Sequence, residues 1–296
     1  MGALLELAER VLDDSTHLFD DHDHRYEAEQ LLAHCLKIDA DALDDATEVP
    51  GATRDRFLAL VARRAAGEPF PLLTGRISFF GLDLKVKAGT FLPRPSSEAL
   101  VARALRLIAR RRAPVLVDVC TGTGPIALAL AHERPDATVY GTDIAPEGLA
   151  VARRNARRLG IANVSFRRGD MYSGLPRALA GRVDLITGHI PYVPPGELDD
   201  LPSEVREHEP VFTLSDLSRD GLGLIRRAAR EAIDWLEPGG WLLVEVSEDL
   251  TARIERIFMR AGLVETGYTM DEDRLSAVVE GQMPKGGIRV RQRPAR

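Results

Sequence analysis

The sequence predicts an α/β fold: a mostly parallel, doubly wound seven-stranded sheet ending in a C-terminal antiparallel hairpin, preceded by a small helical domain and a β-hairpin linker. Three observations predict it. From residue 96 onward, continuous apolar runs alternate with amphipathic helical segments, the pattern of a parallel sheet covered on both faces. A glycine-rich turn, Thr121-Gly122-Thr123-Gly124, joins the first of those runs to the first of those helices. The opening 66 residues keep helical spacing throughout. A chain of 296 residues accommodates two domains at roughly 100–200 residues each.

In chain order, Leu4, Leu5, Ala8, Val11 and Leu12 fall on one helical face with Glu6, Glu9, Asp13 and Asp14 between them, a pattern unlike a signal peptide. Segments 26–36 and 54–64 continue the helical domain, which is expected over 1–72. Over 73–95, Gly75, Gly81 and Gly89 punctuate short β-type runs at 77–80 and 82–86, the hairpin linker. The main domain is expected over 96–283. Its first helix follows Ser96-Ser97-Glu98 and carries Leu100, Val101, Ala104, Leu105 and Ile108. Strands are expected at 115–119, 138–141, 164–166, 183–187 and 241–246, and helices at 126–131, 146–159, 222–236 and 250–261. Runs 264–270 and 275–280 read as the antiparallel hairpin. The tail, 284–296, carries five positive side chains and little that is apolar, and is expected to be basic and disordered.

Composition narrows the function. Lys and Arg number 39 against 45 Asp and Glu, a net charge of −6, so neither direct nucleic-acid binding nor an anionic membrane partner is expected. No apolar stretch of about 18 residues is present. The two cysteines, Cys35 and Cys120, form no CxxC and point to no disulfide framework or zinc site, which fits a reducing cytoplasm. His22 and His24 lie in an acidic stretch and read as a solvated loop rather than a metal pair; no metal is expected.

The stretch Asp118-Val119-Cys120-Thr121-Gly122-Thr123-Gly124 sits at a strand end and opens a helix, where glycines let backbone approach a ligand closely. Gly122-x-Gly124-x-x-Ala127 also satisfies a dinucleotide fingerprint, so the loop alone leaves a nicotinamide cofactor and S-adenosyl-L-methionine (SAM) both open. Three acids weigh on the choice. Asp118 precedes the loop and is expected to face the cleft. Asp143 ends the next strand, beside Ile144, where a carboxylate can accept both ribose hydroxyls. Asp170 follows the third strand as a candidate for the adenine amine, with Met171 packing on the ring. SAM carries a sulfonium and an ammonium and no phosphate, so it suits this acidic set better than a pyrophosphate does. Cys120 and Thr121 complete the candidate cofactor contacts; Cys120 reads as a small packed residue, not a nucleophile.

At the end of the fourth strand stands Gly188-His189-Ile190-Pro191-Tyr192-Val193-Pro194, facing the same crevice by the strand-end rule. With this segment the chain resembles the HemK/PrmC class of SAM-dependent N5-glutamine methyltransferases, which methylate a glutamine amide of peptide-chain release factors. The resemblance runs through Gly67-Glu68-Pro69, Leu92-Pro93-Arg94-Pro95, the glycine loop, Thr142-Asp143-Ile144, Asn155-Ala156 and Glu204-Val205-Arg206. It continues through Glu209-Pro210, Asp220-Gly221-Leu222, Pro238-Gly239-Gly240 and Glu245-Val246. It implies a Rossmann-like SAM-dependent methyltransferase domain, a helical substrate-recognition domain, and S-adenosyl-L-homocysteine as product. Asp118, Gly122 and Gly124 would hold the methionine end, Asp143 the ribose and Asp170 the adenine.

One departure matters. The family's fourth strand ends in Asn-Pro-Pro-Tyr, and the matching residues are His189-Ile190-Pro191-Tyr192. In the family the Asn side-chain oxygen accepts an N–H of the acceptor amide, whose delocalised lone pair makes positioning the main source of rate. A neutral imidazole offers one acceptor nitrogen and is a general-base candidate. The family's Gln after the fifth strand is also missing, with Leu250 at the nearest position. The catalytic candidates are therefore His189, which also borders the cofactor, Pro191 and Tyr192. Three acceptor readings follow: a release-factor glutamine, a nitrogen- or oxygen-bearing small molecule or peptide with His189 as base, and a SAM-binding interaction module without catalysis.

Overall fold

Apolar side chains three and four apart drive the first helices, α1 (Gly2–Asp13), α2 (His24–Leu36), α3 (Gly51–Ala65) and the short α4 (Phe70–Thr74). Asp23 caps α2, its carboxylate accepting the Tyr26 N–H at 2.8 Å. Strands β1 (Arg76–Phe79) and β2 (Leu82–Lys85) form a separate two-stranded hairpin. Then follow α5 (Ser97–Leu107), β3 (Val115–Val119), α6 (Pro125–Glu133), β4 (Thr138–Asp143), α7 (Pro146–Leu159), β5 (Val164–Arg168) and β6 (Val183–Gly188). The short α8 (Ser203–His208) and α9 (Val211–Leu214) precede α10 (Gly223–Trp235), β7 (Leu236–Val246), α11 (Thr251–Ala261), β8 (Val264–Met270) and β9 (Ala277–Gln282). The computed structural model describes residues 1–18, 23–44, 47–271, 274 and 276–286. His22 and the tail beyond residue 286 lie outside the described residues.

The seven-stranded sheet has the order β5-β4-β3-β6-β7-β9-β8. Strands β5 to β7 pair in parallel, and β9 runs antiparallel to both β7 and β8. This is the fold class the sequence predicts. Boundaries moved where the backbone ladder outlasts the apolar run: β4 and β5 continue through the polar pair Asp143↔Arg168. Pairing of Val246 with Ala277 and of Trp241 with Gln282 starts β9 two residues later than expected.

The chain divides into two compact units. One comprises Met1–Arg76, Val86–Ala88 and Asp200–Glu209, the other Ile77–Lys85, Gly89–Asp199 and the chain from Pro210. In the helical unit Leu5, Leu12, Leu31, Leu32, Phe57 and Val61 form the core. Arg64 is 1% exposed. Its guanidinium donates to Glu27 at 2.8 and 3.0 Å and also to Glu204 of α8. Burial opposes its charge, yet the hydrogen bonds to Glu27 and Glu204 hold its pKa above the ordinary value. His24 Nδ1 lies 2.8 Å from Asp13 Oδ1. In the other unit the sheet is covered on both faces. Leu116, Val139 and Leu185 pack with α5, α6 and α7 on one face, and Val117, Ile186 and Val244 with α10 and α11 on the other. Among the described residues no helix is long and apolar enough to cross a membrane.

Candidate active site

Parallel pairing places the ends of β3, β4, β5 and β6 on one side of the sheet, and in open α/β folds that edge holds the ligand. A cavity opens there, continuous with solvent. It is lined by the loop after β3 (Cys120, Gly122), the end of β4 (Asp143, Ile144), the turn after β5 (Asp170, Met171) and the end of β6 (His189, Pro191). Phe91 and Phe212 border it as well.

The glycine loop is held from both sides. Thr121 N–H donates to the Thr142 carbonyl at 3.0 Å, and Gly124 N–H to the Thr121 carbonyl at 2.8 Å. Asp143 accepts the Gly122 N–H on Oδ2 and the Ala145 N–H on Oδ1, both at 2.8 Å. Burial raises its pKa against those backbone hydrogen bonds. Each carboxylate oxygen keeps a second lone pair for a ligand. The two glycines differ. A Cβ on Gly122, at φ +54°, would meet nothing within 4 Å, whereas one on Gly124, at φ +83°, would lie 2.8 Å from the Phe166 ring. Gly122 therefore keeps the backbone open to the cavity, and Gly124, which does not line it, is a packing glycine.

Two further expectations need correction. Asp118 does not face the cleft. It shares a pleat face with Leu116, on the side covered by α6, and is 1% exposed. Its carboxylate accepts hydrogen bonds from Thr121 Oγ1 at 2.5 Å and Thr187 Oγ1 at 2.9 Å. Burial pushes its pKa up to about 7. Thr121 is buried and turned toward that carboxylate, away from the cavity. Cys120 and Met171, both at positive φ, do line the cavity, with Sγ 3.8 Å from Sδ. Burial raises the Cys120 thiol, so it is no thiolate nucleophile. Asp170 sits at the rim, paired with Arg227 at 2.6 Å.

On the opposite wall, His189 packs edge-on to Phe91 with ring centroids 5.1 Å apart and stacks on Tyr192 at 6.0 Å. The His189 side chain keeps 17% exposure. Its Nδ1 lies 3.2 Å from Ser97 Oγ and 3.4 Å from Glu245 Oε2. Burial lowers its pKa, with Arg94 acting the same way and Glu245 opposing. Tyr192 backs this wall without lining the cavity, and burial pushes its phenol up to about 12. Sequence reasoning missed Phe91, Ser97, Phe212 and the buried Glu245. A signal for the last was present, an acid inside the apolar run 241–246.

Residues 4–75 match the family model described as the PrmC N-terminal domain, and residues 112–260 the one described as a methyltransferase domain. The release factor glutamine methyltransferase of Xylella fastidiosa (strain 9a5c) is 36% identical over 262 residues, which cover 88% of this chain and 94% of that protein. This chain belongs to the release factor glutamine methyltransferase family. The Streptomyces coelicolor enzyme of the same description is 37% identical over 237 residues, 79% of this chain and 82% of its own. A crystal structure of a methyltransferase from Pyrococcus furiosus shares the fold with a TM-score of 0.51 at 20% identity, covering 81% of this chain and 100% of that one. The chain is thus a SAM-dependent methyltransferase, and the nicotinamide reading of the loop falls away. The cavity of this methyltransferase fits SAM. Two carboxylates and no lysine or arginine stand among its described lining residues, a donor set for a sulfonium and an ammonium rather than for a pyrophosphate.

Proposed function

We propose that this methyltransferase acts on the side-chain amide nitrogen of a glutamine in a peptide-chain release factor, in the cytoplasm, with the helical domain over residues 1–72 recognising that partner. One observation carries the reading: similarity to enzymes so named spans 94% of the Xylella protein, and the matched N-terminal domain is included. When bound, SAM supplies an electrophilic methyl group on a sulfonium sulfur that becomes a neutral thioether. The Gly122 backbone and the loop borders Cys120 and Asp143 hold its methionine and ribose portions. Ile144, Asp170 and Met171 bound the adenine. Asp118 serves the loop from behind, through Thr121.

His189, Pro191 and Tyr192 form the acceptor wall. The neutral imidazole accepts an N–H of the glutamine amide, orienting the nitrogen and polarising it as its lone pair is drawn out of conjugation. Mass spectrometry of a release factor unmethylated at its target glutamine, after incubation with SAM and this protein, tests the reading. One added methyl on that residue is the expected result; an unchanged mass with SAM binding confirmed by calorimetry would overturn it.

A second reading rests on His189 itself. An imidazole kept neutral by burial is a base for an acceptor that sheds a proton, such as an amine, a guanidine or a hydroxyl of a small molecule or peptide. Methyl transfer to such a compound, with none to the release factor, would select it.

A further inference from the structure

We propose that Glu245 is a positioning residue that fixes His189 as the Nδ1–H tautomer, so that Nε2 is the proton acceptor on the cavity side. The inference rests on the acceptor-wall reading above and adds the group that makes the histidine competent.

The geometry is a carboxylate, an imidazole and an open cavity in sequence. Glu245 is 1% exposed. Its Oε1 accepts a hydrogen bond from Ser96 Oγ at 2.9 Å. Its Oε2 is buried with no hydrogen-bond partner among the described residues, and it lies 3.4 Å from His189 Nδ1. A buried carboxylate oxygen left unmatched is costly, and a proton on Nδ1 is the donor that relieves it. The Ser97 hydroxyl, 3.2 Å from the same nitrogen, is the second group that can accept from it. Among the described residues Nε2 makes no hydrogen bond, and the ring lines the cavity. Phe91 and Tyr192 fix the ring plane from edge and face. The charged groups acting on the ring are Glu245 and Arg94, on opposite sides of the balance; Ser97, Phe91 and Tyr192 bring no charge. Orientation of a base by a buried acid through the far ring nitrogen is the general logic of such pairs.

The proton count closes. The acceptor nitrogen would form its new N–C bond with its lone pair as the methyl–sulfur bond of the donor breaks, the electron pair of that bond staying on sulfur as a neutral thioether; the nitrogen, now positively charged, passes one proton to Nε2. The resulting imidazolium then donates Nδ1–H to Glu245. No other base is required.

The test reads the tautomer directly. Protein carrying ¹⁵N-labelled histidine is titrated by NMR, with the His189 signals identified by their loss in His189→Gln. In the neutral form Nδ1 is expected to be protonated and Nε2 bare. In Glu245→Gln the protonation midpoint falls by about one pH unit or more and the single tautomer is lost; Glu245→Asp restores it in part. Methyl transfer by Glu245→Gln drops about tenfold or more at neutral pH, while SAM affinity stays within about twofold. An Nε2–H tautomer in the parent protein overturns the proposal without any variant, and so does an unchanged His189 titration in a folded Glu245→Gln. Because the NMR readout needs no methyl acceptor, a failure to methylate the release factor leaves it standing or falling by itself.

Discussion

Asp143 Oδ2 accepts the Gly122 N–H at 2.8 Å and so ties the end of β4 to the loop that follows β3. The carboxylate thus organises the protein side of the cavity and keeps lone pairs to spare for a ligand. Asp143→Ala is expected to lower SAM affinity about tenfold to a hundredfold, from the loss of charge-assisted hydrogen bonds at roughly 1.5–3 kcal/mol each. Isothermal calorimetry checks it, and affinity within a factor of two of the parent's would count against this role.

The neighbouring glycines separate by experiment. Gly124→Ala sets a methyl group against Phe166 at a backbone angle that disfavours a side chain. It is expected to cost about 2–4 kcal/mol of stability, read as a lower urea midpoint. Gly122→Ala meets open space, so its stability loss is smaller and its main effect is weaker SAM binding. Equal stability losses would refute the distinction.

Much of this was legible in the sequence, and the rest was not for a definable reason. The order of apolar runs and amphipathic helices dictates the sheet, and the segment Gly188-His189-Ile190-Pro191-Tyr192 at the strand end that faces the crevice is visible without coordinates. Which way a side chain leaves the sheet is not. Asp118 and Asp143 are both acids beside the loop, yet the pleat turns Asp118 toward α6 while Asp143 ends its strand at the cavity. Glu245 stands out as an acid in an apolar strand, but its partners Ser96 and His189 lie 149 and 56 residues away in the chain, beyond what any local pattern can connect.

Stability should respond to pH through Asp118. Its folded-state value of about 7 stands above the ordinary carboxyl value of about 4, so the folded chain holds a proton that the unfolded chain has released. Stability from this group is complete below the unfolded value and is lost as pH rises from about 4 to about 7. Asp118→Asn keeps an acceptor for Thr187 and a donor toward Thr121 without the buried charge. Its Tm relative to the parent's is expected to rise from pH 5 to pH 8; parallel curves would refute the assignment.

Arg64→Ala removes the buried guanidinium that pairs with the carboxylates of Glu27 and Glu204. A loss of about 3–5 kcal/mol is expected, measured as a shifted urea transition by circular dichroism. A loss under about 1 kcal/mol would mean that water replaces the guanidinium without penalty.

Restoring the family motif tests the acceptor wall. His189→Asn with Ile190→Pro is expected to raise methylation of a release-factor glutamine above the parent's rate, scored by mass spectrometry. Ile190 is fully buried, so a thermal melt must accompany the assay. A folded double variant with unchanged or lower transfer would count against the proposed role of these two positions in the acceptor wall.

The pairing of Arg64 with Glu204 also sets a timetable for biogenesis. The helical unit draws on Asp200–Glu209 as well as on the first 76 residues, so a nascent chain that has produced only its leading helices holds an arginine whose second carboxylate is not yet synthesised. Completion of the leading unit waits for about 130 further residues, and proteolytic resistance in a series of arrested chains should step up once residue 209 has left the ribosomal tunnel. A gene fragment ending near residue 76 would encode an unfinished module, and a cut meant to isolate it should carry the distant ten-residue insert back in through a linker.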